Sequence, residues 1–173
     1  MAFKKDENNG IIRITEKTDI MIIYLDNCTF NLPYDNQKNI IVMLETIAKL
    51  HIQNLIKQGF LKLTWSYILE YENEMNPYEE RKITILDWKN SATINILSED
   101  EFIRDKITTI EKARIFGKDA VHIACAIKGD CLYFITTDYH LIRKGSNIKE
   151  ITIINPIDFL KIKEEQYENQ HRD

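Results

Sequence analysis

The sequence predicts an α/β fold with a mostly parallel central sheet. Two short apolar runs, residues 20–25 before Asp26 and residues 132–137 before Asp138, are typical of strands buried on both faces. Strand-like segments alternate with helix-spaced patterns, which is the order that builds parallel sheets. At 173 residues, with 44% hydrophobic and 29% charged residues, the chain suits one globular domain with its own core.

Charge and cysteine content narrow the class of protein. The formal net charge of −4 argues against a broad electropositive surface, although a small basic rim around an acidic site stays compatible with it. Cys28, Cys125 and Cys131 lack metal-type spacing and are predicted to be buried free thiols of a cytoplasmic protein. No run approaches transmembrane length, so no membrane association is expected.

The first half of the chain contains two predicted strands and two predicted helices. Residues 1–19 are mainly polar and are predicted to be an N-terminal extension outside the core domain. After the first strand, residues 27–36 are predicted to form a loop. A helix-spaced apolar stripe over residues 37–58 predicts a helix that Gly59 ends. Alternation over residues 60–66 predicts the second strand, and a short helix follows through Glu72.

The second half starts with two helix signals and ends with two strands. Asn76 and Ser98 are predicted N-caps, and the helix after Ser98 is expected to run to Gly117. Asp119 opens a helix that is apolar on nearly every face and is therefore predicted to be buried. The remaining predictions are a strand ending at Asp138 and then, in order, a helix over 140–144, a strand over 151–154 and a polar helical tail. The predicted core domain spans residues 20–162, and the tail spans 163–173.

Acidic residues mark the ends of the two apolar runs. Ligands of open α/β sheets bind beyond the carboxyl ends of the strands, so Asp26 and Asp138 are expected to reach one crevice. Asp119 is the third candidate, with a helix-dipole role as its structural alternative. His122 lies on the same helix face and could hold Asp119 or a neighbouring carboxylate, or be a hydrogen-bonded core residue.

The short helix after the second strand supplies a fourth acid. Glu70 and Glu72 lie about 200° apart on a helix, so they cannot face the same way. Glu72 shares its face with Leu69 and Ile68, which predicts that Glu72 points towards the sheet and Glu70 towards solvent. A shift of one residue in this helix would exchange the two, so Glu70 stays open as the alternative.

Converging carboxylates indicate a divalent cation. Acids that meet without basic partners repel one another and have raised pKa values. Oxygen ligands favour Mg²⁺ or Mn²⁺, and such an ion can activate water for attack on a phosphate ester. The sequence contains no HExxH motif or cysteine cluster for zinc and no glycine-rich phosphate loop for a nucleotide.

The segments that carry these acids occur in the order found in PIN domains. They are Leu25-Asp26-Asn27, Glu72 after Ser66, the Asp-Ala-x-His-x-Ala motif that starts at Asp119, and Phe134-Ile135-Thr136-Thr137-Asp138. The closing segment 153–160 also looks like the end of many PIN proteins. Over about residues 21–160 the chain therefore resembles a PIN domain, in particular the VapC-like branch.

This resemblance implies a three-layer α/β/α fold and a metal-dependent endoribonuclease, often the toxin of a bacterial toxin–antitoxin pair. The implied catalytic and metal-binding residues are Asp26, Glu72, Asp119 and Asp138. Asn27 and Thr137 would support these ligands or contact phosphate. RNA is the implied substrate, with an antitoxin and a second copy of the chain as partners. Lys118, Arg143 and Lys144 stand next to the acids in sequence, where they could meet RNA phosphates or be solvated surface charges.

Two other functions compete with the nuclease. A PIN-like fold could act as a binding module without cleaving RNA. A phosphatase with an aspartate nucleophile requires Asp-x-Asp-x-Thr, but this chain has Cys28 and Phe30 at the second and third of those positions. Replacement of Asp26 or Asp119 by Asn separates an enzyme from a binding module.

Overall fold

Parallel strands form the centre of the structure, a computed structural model that describes residues 4–5, 11–12 and 20–170. From the predicted extension 1–19 it describes one antiparallel pair, β1 (Lys4–Lys5) and β2 (Ile11–Ile12), and the other residues of the extension lie outside the described part. The remaining strands are β3 (Ile22–Leu25), β4 (Lys62–Ser66), β5 (Ile94–Ile96), β6 (Tyr133–Ile135) and β7 (Thr152–Ile154).

These five strands pair in the order β5-β4-β3-β6-β7, and every neighbouring pair is parallel. The predicted α/β fold is therefore confirmed. Strands β4 and β5 lie on one side of β3, and the later strands β6 and β7 lie on its other side. The order reverses between β3 and β6, and the carboxyl ends of strands at such a switch point are where α/β sheets bind ligands.

Helices connect the strands and cover the sheet, consistent with a three-layer α/β/α arrangement. Their bounds are α1 (Asn27–Asn31), α2 (Ile40–Lys57), α3 (Tyr67–Glu74), α4 (Glu79–Leu86), α5 (Trp88–Ser91), α6 (Glu101–Glu111), α7 (Lys118–Lys128), α8 (Tyr139–Gly145) and α9 (Pro156–Gln170). Helix α2 packs on α9, and α7 packs on α6, α3 and β4. Helix α9 crosses the predicted boundary at residue 162, and residues 171–173 lie outside the described part.

The buried strands and α7 make a rigid support for the switch point. In β3, Ile23, Tyr24 and Leu25 are fully buried, as are Phe134 and Ile135 in β6. Helix α7 buries its alanines and Cys125, which confirms the prediction from its apolar sequence. Burying a large apolar side chain contributes about 1.5–3 kcal/mol, so this core fixes the strand ends firmly.

Several predicted element ends are wrong. Residues 27–36 do not form a loop: Asp26 caps α1 through Asn27, and a 3₁₀ turn covers Leu32–Tyr34. The N-cap of α4 is Tyr78, because Asn76 instead uses its Oδ1 to accept a hydrogen bond from the Tyr78 amide at 3.1 Å and closes a turn before the helix.

Asp100 rather than Ser98 caps α6, because its Oδ1 accepts the Ile103 amide hydrogen at 3.1 Å. That helix ends at Glu111, and Gly117, with φ of 62°, instead precedes α7. Strand β6 ends at Ile135, three residues before Asp138, which becomes the cap of α8. The short strand β5 has no counterpart among the sequence predictions.

Candidate functional site

Asp26 lies directly after β3, at the switch point of the sheet. Its amide donates to the Ile135 carbonyl at 2.9 Å, which fixes its backbone against the end of β6. Its Oδ1 accepts from the Asn27 amide at 2.7 Å, while Oδ2 accepts from Thr136 Oγ1 at 2.7 Å and Cys28 Sγ at 3.1 Å. Three donors therefore hold the carboxylate in one orientation.

Glu72 reaches the same place from α3. Asp26, Glu72 and His122 each place one ligand atom within 4.8 Å of the others. His122 Nε2 lies 3.0 Å from Glu72 Oε2, and Lys118 Nζ lies 3.2 Å from Oε1. Partial burial raises the pKa of Glu72, but hydrogen bonds from His122 and Lys118 and the charge of Lys118 outweigh this and hold the pKa below its usual value. Glu72 is therefore ionised at neutral pH.

Glu70 occupies the opposite face of α3. Its Oε2 accepts from Lys89 Nζ at 2.8 Å, and both side chains are 35% exposed. The Glu72 side chain is only 17% exposed. The glutamate that joins Asp26 is therefore Glu72, and the alternative that the sequence leaves open, Glu70, lies in a separate surface ion pair.

Asp119 and Asp138 lie outside this close group but share its electrostatic surroundings. Desolvation and then the charges of Asp26 and Asp138 raise the pKa of Asp119, with a smaller contribution from Glu72 and an opposing one from His122. Asp138 caps α8, since its Oδ1 accepts from the His140 and Leu141 amides at 2.8 and 3.0 Å. Asp119 thus lies close enough to the other three predicted acids for their charges to raise its pKa.

A buried chain of polar side chains supports Glu72 from behind. Tyr24 Oη lies 2.7 Å from His122 Nδ1 and 2.5 Å from Ser66 Oγ, and none of these three side chains is more than 2% exposed. Burial raises the pKa of Tyr24 well above its usual value, so its hydroxyl keeps its proton. The sequence singles out neither Tyr24 nor Thr136. The one available signal was a tyrosine within an otherwise aliphatic buried strand.

The other predicted residues take separate positions. The Asn27 side chain accepts a hydrogen bond from Asn31 Nδ2 at 3.2 Å. The contact between Asn27 and Asp26 is made by the Asn27 backbone amide. Thr137 is half-buried near Cys28, and burial raises the pKa of that thiol to about 12. Arg143 Nη2 donates to His140 Nδ1 at 3.0 Å. Lys144 is exposed on the same last turn of α8.

The donor set fits a hard divalent cation. Carboxylate oxygens supply every ligand atom of the candidate site except those of His122, and such oxygens favour Mg²⁺ or Mn²⁺. Both ring nitrogens of His122 already have partners, Tyr24 and Glu72. His122 is therefore arranged to orient the candidate metal-binding residue Glu72 rather than to bind the cation itself. The pKa of Asp119 is raised first by desolvation and then by the charges of Asp26 and Asp138, and a cation would relieve the second of these causes.

Comparisons with known proteins give no assignment. No protein-family model and no curated protein matches the sequence. The resemblance to PIN domains therefore stays a prediction from the residues that carry it, and the function has to be argued from the site.

Proposed function

We propose that this protein is a Mg²⁺- or Mn²⁺-dependent endoribonuclease that hydrolyses phosphodiester bonds of RNA. The observation that carries the proposal is the meeting of Asp26 and Glu72 within a group whose ligand atoms span 4.8 Å, at the switch point of a parallel sheet. Asp119 and Asp138 add negative charge at the same edge. These four acids follow one another along the chain in the order found in PIN domains, which supports a metal-dependent ribonuclease site.

Each polar group around the acids has a role in this proposal. Asp26, Glu72, Asp119 and Asp138 would hold the cation. A bound divalent ion supplies Lewis-acid activation of water and neutralises charge at the scissile phosphate. Thr136 and Cys28 orient the Asp26 carboxylate by donating to Oδ2, and His122 orients Glu72. Lys118, whose side chain is 55% exposed beside Glu72, is available to pair with an RNA phosphate.

Cleavage of a labelled single-stranded RNA tests the proposal. We expect products with Mn²⁺ or Mg²⁺ and none with excess EDTA. Asp26→Asn is expected to lower the rate at least about 100-fold, because it removes a ligand whose loss costs more than that of a supporting residue. Glu70→Gln is the matched control and should keep the wild-type rate. Full cleavage in EDTA, or by folded Asp26→Asn, would overturn the proposal.

A toxin role is a further part of the proposal, supported by the resemblance alone. The expected partner is a small antitoxin, and the proposed location is the cytoplasm, where the three free cysteines would stay reduced. None of the helices within residues 20–170 combines the length and apolarity that a membrane span requires. Soluble expression of the wild type should arrest growth, and Asp26→Asn should not.

We also propose a homodimer, supported by the outer face of α2. Its exposed apolar residues include Ile40, Leu44, Ile47 and Leu50, which recur at helical spacing. Large exposed apolar stripes of this kind mark association surfaces. Sedimentation velocity should give a dimer for the wild type and a monomer for Ile47→Asp, and a wild-type monomer at high concentration would contradict this assembly.

One observation favours the competing binding-module function. Glu72 already has two cationic or hydrogen-bonding partners, Lys118 and His122, so part of the acidic charge is compensated within the chain. A binding module would show neither Mn²⁺ binding nor RNA cleavage while being folded. The cleavage experiment therefore separates the two functions directly.

A further inference from the structure

Four side chains from four elements form one continuous hydrogen-bonded chain that ends at the candidate site. Ser66 at the end of β4 contacts Tyr24 of β3, Tyr24 contacts His122 of α7, and His122 contacts Glu72 of α3. The three distances are 2.5, 2.7 and 3.0 Å. We refer to Ser66, Tyr24 and His122 as the support chain of Glu72.

The direction of each hydrogen bond in the series follows from Glu72, the residue at its end. A carboxylate only accepts, so His122 Nε2 has to carry the hydrogen that faces Glu72. We assign the only ring hydrogen to Nε2, so that Nδ1 is the acceptor and Tyr24 Oη donates to it. Tyr24 in turn accepts from Ser66, whose Oγ also accepts from the Leu69 amide at 3.4 Å. Ser66 therefore donates to Tyr24, Tyr24 to His122, and His122 to Glu72.

Packing alone does not account for these polar groups. The Tyr24 ring stacks on Phe134 with centroids 5.2 Å apart and meets the His122 ring edge-on at 5.8 Å. A phenylalanine would make the same ring contacts without having to bury a hydroxyl, which is costly unless it is hydrogen-bonded. What the hydroxyl adds is a hydrogen bond to Nδ1 that fixes the orientation of the His122 ring.

We propose that Tyr24 and His122 are positioning residues that hold Glu72 Oε2, so that the carboxylate faces Asp26 before a cation binds. This inference rests on the proposed function, because it assigns the support chain to the cation site. Groups that orient metal-binding residues in this way typically change metal affinity by about 10–100-fold when they are removed. The expected loss for Tyr24→Phe is about 10-fold, since the histidine itself stays in place.

Tyr24→Phe is the decisive variant, and Tyr133→Phe is its matched control. Tyr133 also lies in a central strand and packs its ring edge-on against Phe159, but its hydroxyl makes no hydrogen bond within residues 20–170. Calorimetric titration with Mn²⁺ should show about 10-fold weaker binding for Tyr24→Phe and unchanged binding for Tyr133→Phe. Nitrogen-15 NMR of His122 should show the Nε2-protonated ring in both the wild type and Tyr24→Phe, because Glu72 sets that tautomer, and a shifted Nδ1 resonance in the variant, which has lost the hydrogen bond to Nδ1.

The outcomes separate this inference from the proposed function. If the wild type binds no Mn²⁺ at millimolar concentration, the cation site fails and the positioning role fails with it. If wild type and Tyr24→Phe bind Mn²⁺ equally well, only the positioning role is overturned. Should Tyr24→Phe not fold, the wild-type NMR measurement still decides, because a ring protonated on Nδ1, either alone or together with Nε2, would overturn the proposed direction of the support chain.

Discussion

The two faces of α3 place the same residue type in different surroundings. Glu72 turns towards the sheet, where Asp26, His122 and Lys118 lie close to it. Glu70, two residues earlier, turns to the surface and pairs with Lys89 alone. Surface ion pairs of the second kind contribute little to stability. The comparison shows that it is the neighbours of a glutamate, and above all other acids nearby, that make it a candidate ligand.

The largest expected difference between the two faces is in catalysis. Glu72→Gln should reduce Mn²⁺-dependent RNA cleavage at least about 100-fold, because it removes a carboxylate from the cation site. Glu70→Gln should change the rate less than about twofold, as expected for a solvent-screened surface group. Initial rates at saturating Mn²⁺, with circular dichroism to verify folding, measure both. Equal losses in the two variants would remove the distinction between the faces.

A second expected difference concerns stability without metal. The pKa of Glu72 is lowered, so its ionised form stabilises the fold, whereas the raised pKa of Asp119 means that its ionised form destabilises it. At pH 7, Glu72→Gln should therefore lower the free energy of unfolding, and Asp119→Asn should raise it. Asp119 is exposed, so its effect is discounted to about 0.5 kcal/mol, the size of a screened charge interaction.

The pH dependence has a definite sign for each group. The contribution of Glu72 is present above its unfolded pKa of about 4.3 and is lost as the pH falls through its lower folded pKa. The penalty from Asp119 grows as the pH rises from about 3.9 through its higher folded pKa. Urea unfolding between pH 3 and pH 7 in EDTA measures both. A stabilising Glu72→Gln or a destabilising Asp119→Asn at pH 7 would contradict these signs.

An effect of similarly small size is expected from the lysines that face the two glutamates. Lys118→Met removes a positive charge from beside Glu72 and should tighten Mn²⁺ binding about threefold, as expected from a screened interaction of about 0.6 kcal/mol. Lys89→Met removes the partner of Glu70 and should leave Mn²⁺ binding unchanged. Calorimetric titration compares the two variants, and weaker binding by Lys118→Met would show that this lysine supports the site.

The sequence predicted the parts of this comparison that depend on local patterns. Asp26 follows a continuous apolar run, and Glu72 shares a helix face with Leu69, so both positions follow from strand and helix periodicity. Strand and helix periodicity do not predict helix α1, which has five residues and is capped by Asp26, the same residue that enters the candidate site. A single residue can perform both roles.

The partners of these acids depend on strand register and helix packing that no short window of sequence contains. Thr136 meets Asp26 only because β3 and β6 pair with Leu25 opposite Ile135. Tyr24 meets His122 across 98 positions of sequence, through the packing of α7 on the sheet. The sequence therefore points to the candidate acids and to His122 as a partner for a carboxylate, whereas Thr136 and Tyr24 are identified only by the three-dimensional structure.

Binding of Mn²⁺ to the wild-type protein tests the central claim most directly. Thermal or chemical unfolding at increasing Mn²⁺ should show a graded gain in stability, about 1.4 kcal/mol at ten times the dissociation constant. The gain should persist in Glu70→Gln and shrink strongly in Asp26→Asn and Glu72→Gln. A wild-type stability that does not respond to millimolar Mn²⁺, or a response that is unchanged in Asp26→Asn, would contradict the assignment of a cation site to this edge of the sheet.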